Sequence, residues 1–380
     1  MFPDQEQTIK HLQNGNSLVY NTRTGGGKNS IPKLYSLLNP DSFIVVISPY
    51  KSLIKDYYSS LIDLFPGEVD CFFADGSRGQ KNQDNYNQVK RNIRTGQTRI
   101  LVVTAEQLRI RKDFVATLSE RGVDLLVVDE CHNILTSGAT GFRLAWRAVS
   151  IGKIIRKLKD PKTLFMSATI DHRVQTEIRK AWGKGKLKQV TGDLVRPNLG
   201  RFHFRFDNRG QKLIILDRLL EFLKKKKLKK GIIFFATVNN LEHVHSVLSD
   251  INHETSVYFG RKSSNITEAQ KNQNIEEFMG SKKGILLATA AFGEGINIQD
   301  VDFVIIFDVP GSLIELDQWS GRAGRDNKPA PIILMEDGHG HKLRQHLIEG
   351  SKDDKDEIKQ ELYDELRQFL ESDSINRVLN

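Results

Sequence analysis

Apolar residues in the first half of the chain fall into short runs separated by polar or amphipathic stretches of helical length. Runs at 18–20, 43–47, 71–74, 100–104, 125–128 and 164–166 read as buried strands. The rhythm pauses at Arg196-Pro197-Asn198-Leu199-Gly200, which reads as a hinge, and restarts with runs at 202–206, 232–235, 285–288, 303–307 and 332–334. Strands alternating with helix-length segments predict parallel sheets crossed over by helices, the α/β class. The expected division is a first domain over 1–197, a second over 198–340, and a helical extension over 341–380. In that extension an acidic stretch, 353–371, sets Ile358, Leu362, Leu366 and Phe369 on one helical face, as expected of a helix docked on the second domain.

Composition narrows the class. A length of 380 residues suits two domains, and 39% hydrophobic with 27% charged residues describes an ordinary soluble globular chain. No run approaches the roughly 20 apolar residues of a membrane span. The opening MFPDQEQTIK lacks the apolar centre of a signal peptide. The expectation is an intracellular protein without a membrane partner, in the nucleus of a eukaryotic cell and otherwise in the cytoplasm. Two distant cysteines, Cys71 and Cys131, offer neither a disulfide framework nor a zinc site. His339, His341 and His346 have loose metal-like spacing but no carboxylate or thiol company, so no metal is expected there. The net charge of +9 favours a polyanionic partner only weakly, since much of the excess is the lysine block at 224–230, read as a solvated helix end.

The candidate chemistry starts at Thr24-Gly25-Gly26-Gly27-Lys28, directly after an apolar run. Glycines let a loop curl until successive N–H groups converge on a phosphate; a helix starting at Lys28 would add its positive end, and the ammonium reaches the outer phosphates. The hydroxyl residue expected next, to hold magnesium, is replaced by Asn29, with Ser30 one place late. An asparagine carbonyl is a weaker substitute. Asp129 and Glu130 close a buried run, and in open α/β sheets ligands bind beyond the carboxyl ends of strands. Asp129 suits magnesium, and Glu130 suits the orientation and deprotonation of an attacking water. Phosphoryl transfer also needs positive charge on the transferring group, and Arg322 and Arg325 in Gln318-Trp319-Ser320-Gly321-Arg322-Ala323-Gly324-Arg325 are the candidates. If they reach the γ-phosphate from the other half, hydrolysis follows domain closure.

The ordered set of TGGGK ending at Lys28, SPYKSLIKD from Ser48, TAEQL from Thr104, DECH from Asp129, SAT from Ser167, GIIFFAT from Gly231, ATAAFGEGIN from Ala288 and QWSGRAGRD from Gln318 resembles superfamily 2 helicases, and within them the RecQ family. The resemblance runs from residue 2 to about 335. It implies two tandem RecA-like domains with a nucleotide cleft between them. It also implies ATP with Mg2+ and an ATP-driven DNA helicase moving 3′ to 5′ on single-stranded or forked DNA, with RNA as an alternative substrate; with two cysteines, no zinc is expected. Gln5, with Phe2 nearby, would read the adenine edge; Gly293, Gly295 and Asn297 would line the cleft from the second domain. His132, Ser167, Thr169 and Gln318 would relay nucleotide state to the nucleic acid, and Arg322 and Arg325 would be finger residues. Ser48, Lys51, Lys55, Thr104, Thr237 and Thr289 would grip phosphates, giving salt-sensitive binding. The segment after DECH corresponds to an aromatic-rich loop, in which Phe142 and Trp146 would stack on unpaired bases and Arg143 would pair with phosphate; burial of both aromatics in a helix is the competing reading.

Three departures stand out. Asn29 lies at the magnesium position, the helix expected before Phe2 is missing, and the chain has neither the cysteines nor the length for a zinc subdomain and winged helix. Two rival functions follow: a nucleic-acid-binding clamp whose ATPase is impaired through Asn29, and an RNA-directed DExH helicase. Protein partners are not legible.

Overall fold

The computed structural model describes residues 1–73, 80–139, 143–185, 187–251, 253–259, 267–289, 301–325, 327–349 and 356–372. The chain divides into two compact units, Met1–Val195 and Arg196–Asn380.

The first unit is a seven-stranded sheet in the order β3-β4-β2-β5-β6-β1-β7, built from β1 (Leu18–Asn21), β2 (Ile44–Ile47), β3 (Val69–Phe72), β4 (Ile100–Val103), β5 (Leu125–Asp129), β6 (Lys162–Ser167) and β7 (Lys188–Thr191). Every pairing is parallel. The central strands are buried on both faces, which is why they read as continuous apolar runs. Helices α1 (Pro3–Gln13), α2 (Ser30–Leu38), α3 (Lys51–Ile62), α4 (Gln80–Thr95), α5 (Ala105–Ile110), α6 (Lys112–Arg121), α7 (Ala148–Lys157) and α8 (His172–Trp182) connect the strands. Edge strand β7 escaped the sequence reading because only Val190 of its four residues is buried.

The second unit has six strands in the order β10-β11-β9-β12-β13-β8: β8 (Leu199–Phe206), β9 (Lys230–Phe235), β10 (Thr255–Tyr258), β11 (Gly284–Thr289), β12 (Phe303–Ile306) and β13 (Ala330–Asp337), again all parallel. Its helices are α9 (Arg209–Lys225), α10 (Val238–Asp250), α11 (Glu268–Gly280), α12 (Leu313–Ser320), α13 (Gly338–Glu349) and α14 (Asp356–Glu371). Strand β10 was missed for the same reason as β7, since Val257 alone is buried. One face of this sheet packs Leu216, Leu220 and Val244; the other packs Trp319 together with α14. The buried stripe of α14 is Leu362, Tyr363, Leu366 and Leu370, rotated from the predicted one, with Phe369 only partly buried.

At the expected joint, Arg196 donates to the carbonyls of Gly321 (3.1 Å) and Ala323 (2.5 Å), and Asn198 to those of Gly324 (2.8 Å) and Lys328 (2.9 Å), so both are anchored within the second unit. One polar segment differs from expectation. The lysine block is not all solvated, because Lys230 opens β9 with its ammonium buried and donating to Met279 O at 3.3 Å. Among the described residues no helix is long and apolar enough to cross a membrane.

Candidate nucleotide-binding and catalytic site

Strands β1, β6 and β5 are neighbours, and their registers pair Asn21 with Ser167 and Asp129 with Met166, so their carboxyl ends are level. The glycine loop leaves β1 at this end. Gly25 (φ 80°) and Gly27 (φ 76°) occupy the left-handed region that side chains resist. A Cβ on Gly26 would lie 2.6 Å from Thr22 Oγ1. Ser30 N donates to Gly27 O (2.9 Å) and Ile31 N to Lys28 O (3.1 Å), which winds the loop into α2. Regular helix therefore begins at Ser30, two residues later than predicted, with partly buried Thr24 and Ser30 flanking the turn. Asn29 is exposed at the cap position and its side chain makes no capping hydrogen bond.

Gln5 closes the loop from α1. It is buried, donating from Nε2 to Gly27 O (3.2 Å) and accepting at Oε1 from Phe2 N (3.0 Å). The Phe2 ring itself is 58% exposed.

Lys28, almost buried, extends its Nζ to 3.6 Å from Glu130 Oε1. Asp129 is 2% exposed, and its Oδ1 has no hydrogen-bond partner among the described residues. Burial, and then the charge of Glu130, push the Asp129 carboxyl up from its ordinary range. Burial acts the same way on Glu130, but Lys28, then His132 and Ser167, outweigh it and hold that carboxyl low. Glu130 has φ 45°, an uncommon backbone state for a residue with a side chain. A buried carboxylate oxygen without a donor, beside a phosphate loop, fits a hard divalent cation such as magnesium.

Three expected relay residues gather around Glu130. His132 Nδ1 lies 2.7 Å from Ser167 Oγ and 3.3 Å from Glu130 Oε2. Ser167 Oγ is 3.3 Å from the same oxygen, and Thr169 N donates to Ser167 Oγ at 3.2 Å. Asn133, and Tyr50 of the segment 48–56, join them without having been singled out by the sequence pattern. Asn133 donates to Glu130 O (3.0 Å) and lies 3.2 Å from His132 Nε2, while Tyr50 OH donates to Asn133 Oδ1 (3.0 Å). Its place directly after DECH was the one available clue.

In the second unit, Gln318 occupies the last turn of α12 and Arg322 and Arg325 the loop beyond it, both half-buried. Arg325 Nε donates to Gly321 O (3.3 Å), and Gly324 (φ 59°) packs so closely that a Cβ would lie 2.5 Å from Asn198 Nδ2. Beneath the loop Trp319 stacks on Phe234, ring centroids 5.0 Å apart. Gly293, Gly295, Asn297 and Phe142 lie outside the described residues.

The expected nucleic-acid contacts divide. Lys51 and Lys55 are exposed one turn apart on α3. Thr237 Oγ1 is spent capping α10, accepting from Asn240 N at 3.3 Å, and Thr289 is buried at the end of β11. Ser48 is fully buried, so its hydroxyl is out of a phosphate's reach, and Thr104 turns its hydroxyl inward to cap α5. Trp146 is corrected as well: it is 0% exposed and presents no face to a base. Gly138 makes that burial possible, since a Cβ there would lie 2.2 Å from Trp146 O. Arg143, expected on phosphate, is committed to Glu106, Nη2 to Oε1 at 2.7 Å, and lies over the Tyr50 ring, 5.4 Å from its centroid.

The sequence matches the DEAD/DEAH box helicase family model over residues 2–178 and the helicase conserved C-terminal domain model over residues 211–327. It is 27% identical to the ATP-dependent DNA helicase RecQ of Haemophilus influenzae over 99% of this chain and 57% of that protein. Against the ATP-dependent DNA helicase RecQ of Bacillus subtilis it is 26% identical over 92% of this chain and 55% of that protein. The chain thus spans little more than half the length of these curated relatives. In fold it is similar to Mss116p bound to ssRNA and AMP-PNP, with TM-score 0.70 and 20% identity over 95% of this chain and 76% of that one. The two parallel-sheet units are accordingly tandem RecA-like domains.

Proposed function

From the premise that this chain belongs to superfamily 2 as a helicase core of RecQ type, we propose that it hydrolyses ATP to move 3′ to 5′ along single-stranded or forked DNA. The observation that carries the reading is the approach of Lys28 to Glu130, 3.6 Å, beside the orphaned Oδ1 of Asp129 at level strand ends.

ATP binds with its β- and γ-phosphates against the Gly25–Gly27 amides and the Lys28 ammonium, which then exchanges Glu130 for phosphate oxygen. Gln5, already against the loop, reads the adenine edge. Glu130, held anionic, orients and deprotonates the attacking water, and Ser167 and His132 fix its Oε2. Asp129, and more weakly Asn29, would hold magnesium, which would supply neutralising charge to the phosphates. Arg322 and Arg325 are the candidates for the remaining positive charge on the transferring group, with Gln318, Gly293, Gly295 and Asn297 as further candidate nucleotide contacts. Lys51 and Lys55 offer exposed charge to a DNA backbone.

The test is steady-state ATP hydrolysis titrated with single-stranded DNA and then with matched RNA. DNA is expected to raise turnover more than RNA, and Glu130→Gln to abolish turnover while leaving nucleotide binding intact. Turnover indifferent to DNA overturns the motor; stimulation by RNA alone converts it to an RNA helicase. A second reading, the clamp with impaired ATPase, is favoured by one observation, the exposed Asn29 in place of a hydroxyl. It predicts DNA binding without phosphate release, and activity regained in Asn29→Ser.

A further inference from the structure

Asn133 is 1% exposed and uses both ends of its carboxamide. Its Nδ2 faces the backbone carbonyl of Glu130 at 3.0 Å, and a carbonyl can only accept. That fixes which end of the amide is nitrogen. The same Nδ2 lies 3.2 Å from His132 Nε2, so Nε2 accepts and the ring proton belongs on Nδ1. Nδ1–H then points at Ser167 Oγ (2.7 Å) and Glu130 Oε2 (3.3 Å), the orientation that steadies the Glu130 carboxylate. The opposite end, Oδ1, accepts from Tyr50 OH (3.0 Å) and Ser137 Oγ (2.8 Å).

Both of these donors lead to Arg143. Its guanidinium covers the Tyr50 ring at 5.4 Å, and its backbone N–H donates to Ser137 O at 2.8 Å. Asn133 therefore receives both routes from Arg143 and touches His132.

We propose that Asn133 is a positioning residue that sets the His132 tautomer, and that Tyr50 and Ser137 tie this setting to the placement of the Arg143 segment. The proposal rests on Glu130 being the base of the reaction proposed above.

Two measurements test this separately from the assignment of the base. In 15N-histidine NMR spectra, with the resonance identified through His132→Gln, His132 is expected as the Nδ1–H tautomer. Asn133→Asp, which presents an acceptor to Nε2, is expected to draw the proton there. An Nε2–H tautomer in the unaltered protein overturns the proposal whatever the ATPase does. The second measurement is a double-mutant cycle on DNA-stimulated hydrolysis with Tyr50→Phe, which keeps the ring under Arg143, and Asn133→Ala. Asn133→Ala is expected to lower kcat about tenfold with little change in KM for ATP, Tyr50→Phe a few-fold, and the pair no more than Asn133→Ala alone. Fully additive losses, or an Asn133→Ala enzyme as fast as the unaltered one while Glu130→Gln is dead, overturn the relay and spare the base. A Glu130→Gln enzyme that still turns over removes the base assignment instead.

Discussion

The Nε2 of Gln5 donates to the carbonyl of Gly27 at 3.2 Å across 22 residues of sequence, so the first helix of the chain holds the crest of its phosphate loop. The bond joins an adenine-reading candidate to a phosphate-binding one. It also makes Gly27 doubly constrained, by φ 76° and by Gln5 Nε2, which a Cβ would approach to 2.5 Å.

Gly27→Ala is accordingly expected to weaken ATP binding about tenfold, the equivalent of the 1–2 kcal/mol that a side chain in the left-handed region costs. Gln5→Ala, which removes only the latch, is expected to have a smaller effect. Titration with a fluorescent ATP analogue checks both, and equal affinity in Gly27→Ala would show that the loop reshapes freely.

Asn29→Ser restores a hydroxyl at a position that is exposed and makes no capping bond, so folding should be indifferent to it. Hydrolysis measured against magnesium concentration is expected to reach half-maximum at lower metal in the variant. An unchanged magnesium curve would mean that Asn29 does not touch the ion.

Trp146 belongs to the core of the first unit rather than to a DNA surface. Trp146→Ala is expected to cost about 3–5 kcal/mol of stability in denaturant unfolding. Trp146→Phe should fold and bind single-stranded DNA as tightly as the unaltered chain; a loss of DNA affinity in that variant would return the residue to the interface.

Glu336 accepts from His203 Nε2 (2.5 Å) and His341 Nε2 (2.9 Å), and His341 Nδ1 in turn contacts Tyr363 OH (2.6 Å) on α14. Burial pushes the Glu336 carboxyl up, but the two imidazoles outweigh it and hold it well below its ordinary 4.5. The folded value lies below the unfolded one, so the contribution to stability is complete above about pH 4.5 and is lost as pH falls toward the folded value. Glu336→Gln should therefore melt lower than the unaltered protein at pH 7, and the gap should narrow as melting is followed down below about pH 4.5. A gap that persists in acid would point to lost packing instead.

Gly324→Ala, forced against Asn198 Nδ2 at 2.5 Å, should disturb the loop that carries Arg322 and Arg325. The expected result is a lower kcat with nucleotide affinity kept, read from steady-state hydrolysis beside direct binding. A variant of unaltered kcat would detach this loop from the chemistry.

Much of this protein is legible from its sequence because local pattern and local chemistry coincide there. Central strands such as β2 and β5 are buried on both faces and therefore spell themselves as apolar runs, and the glycine loop announces itself because few other residues tolerate its φ angles. Edge strands β7 and β10, each with one buried residue, carry no such signature. What only the tertiary structure decided is which polar groups meet. Trp146 is inside because Gly138 makes room, Arg196 holds the carbonyl of Gly321, and Arg143 faces Glu106. The position of Asn133 between Tyr50 and His132 likewise depends on a neighbour 83 residues away in the chain. A run of residues encodes the preference of its own backbone and the face it would bury, but a hydrogen bond between distant side chains exists only once packing has brought them within about 3 Å.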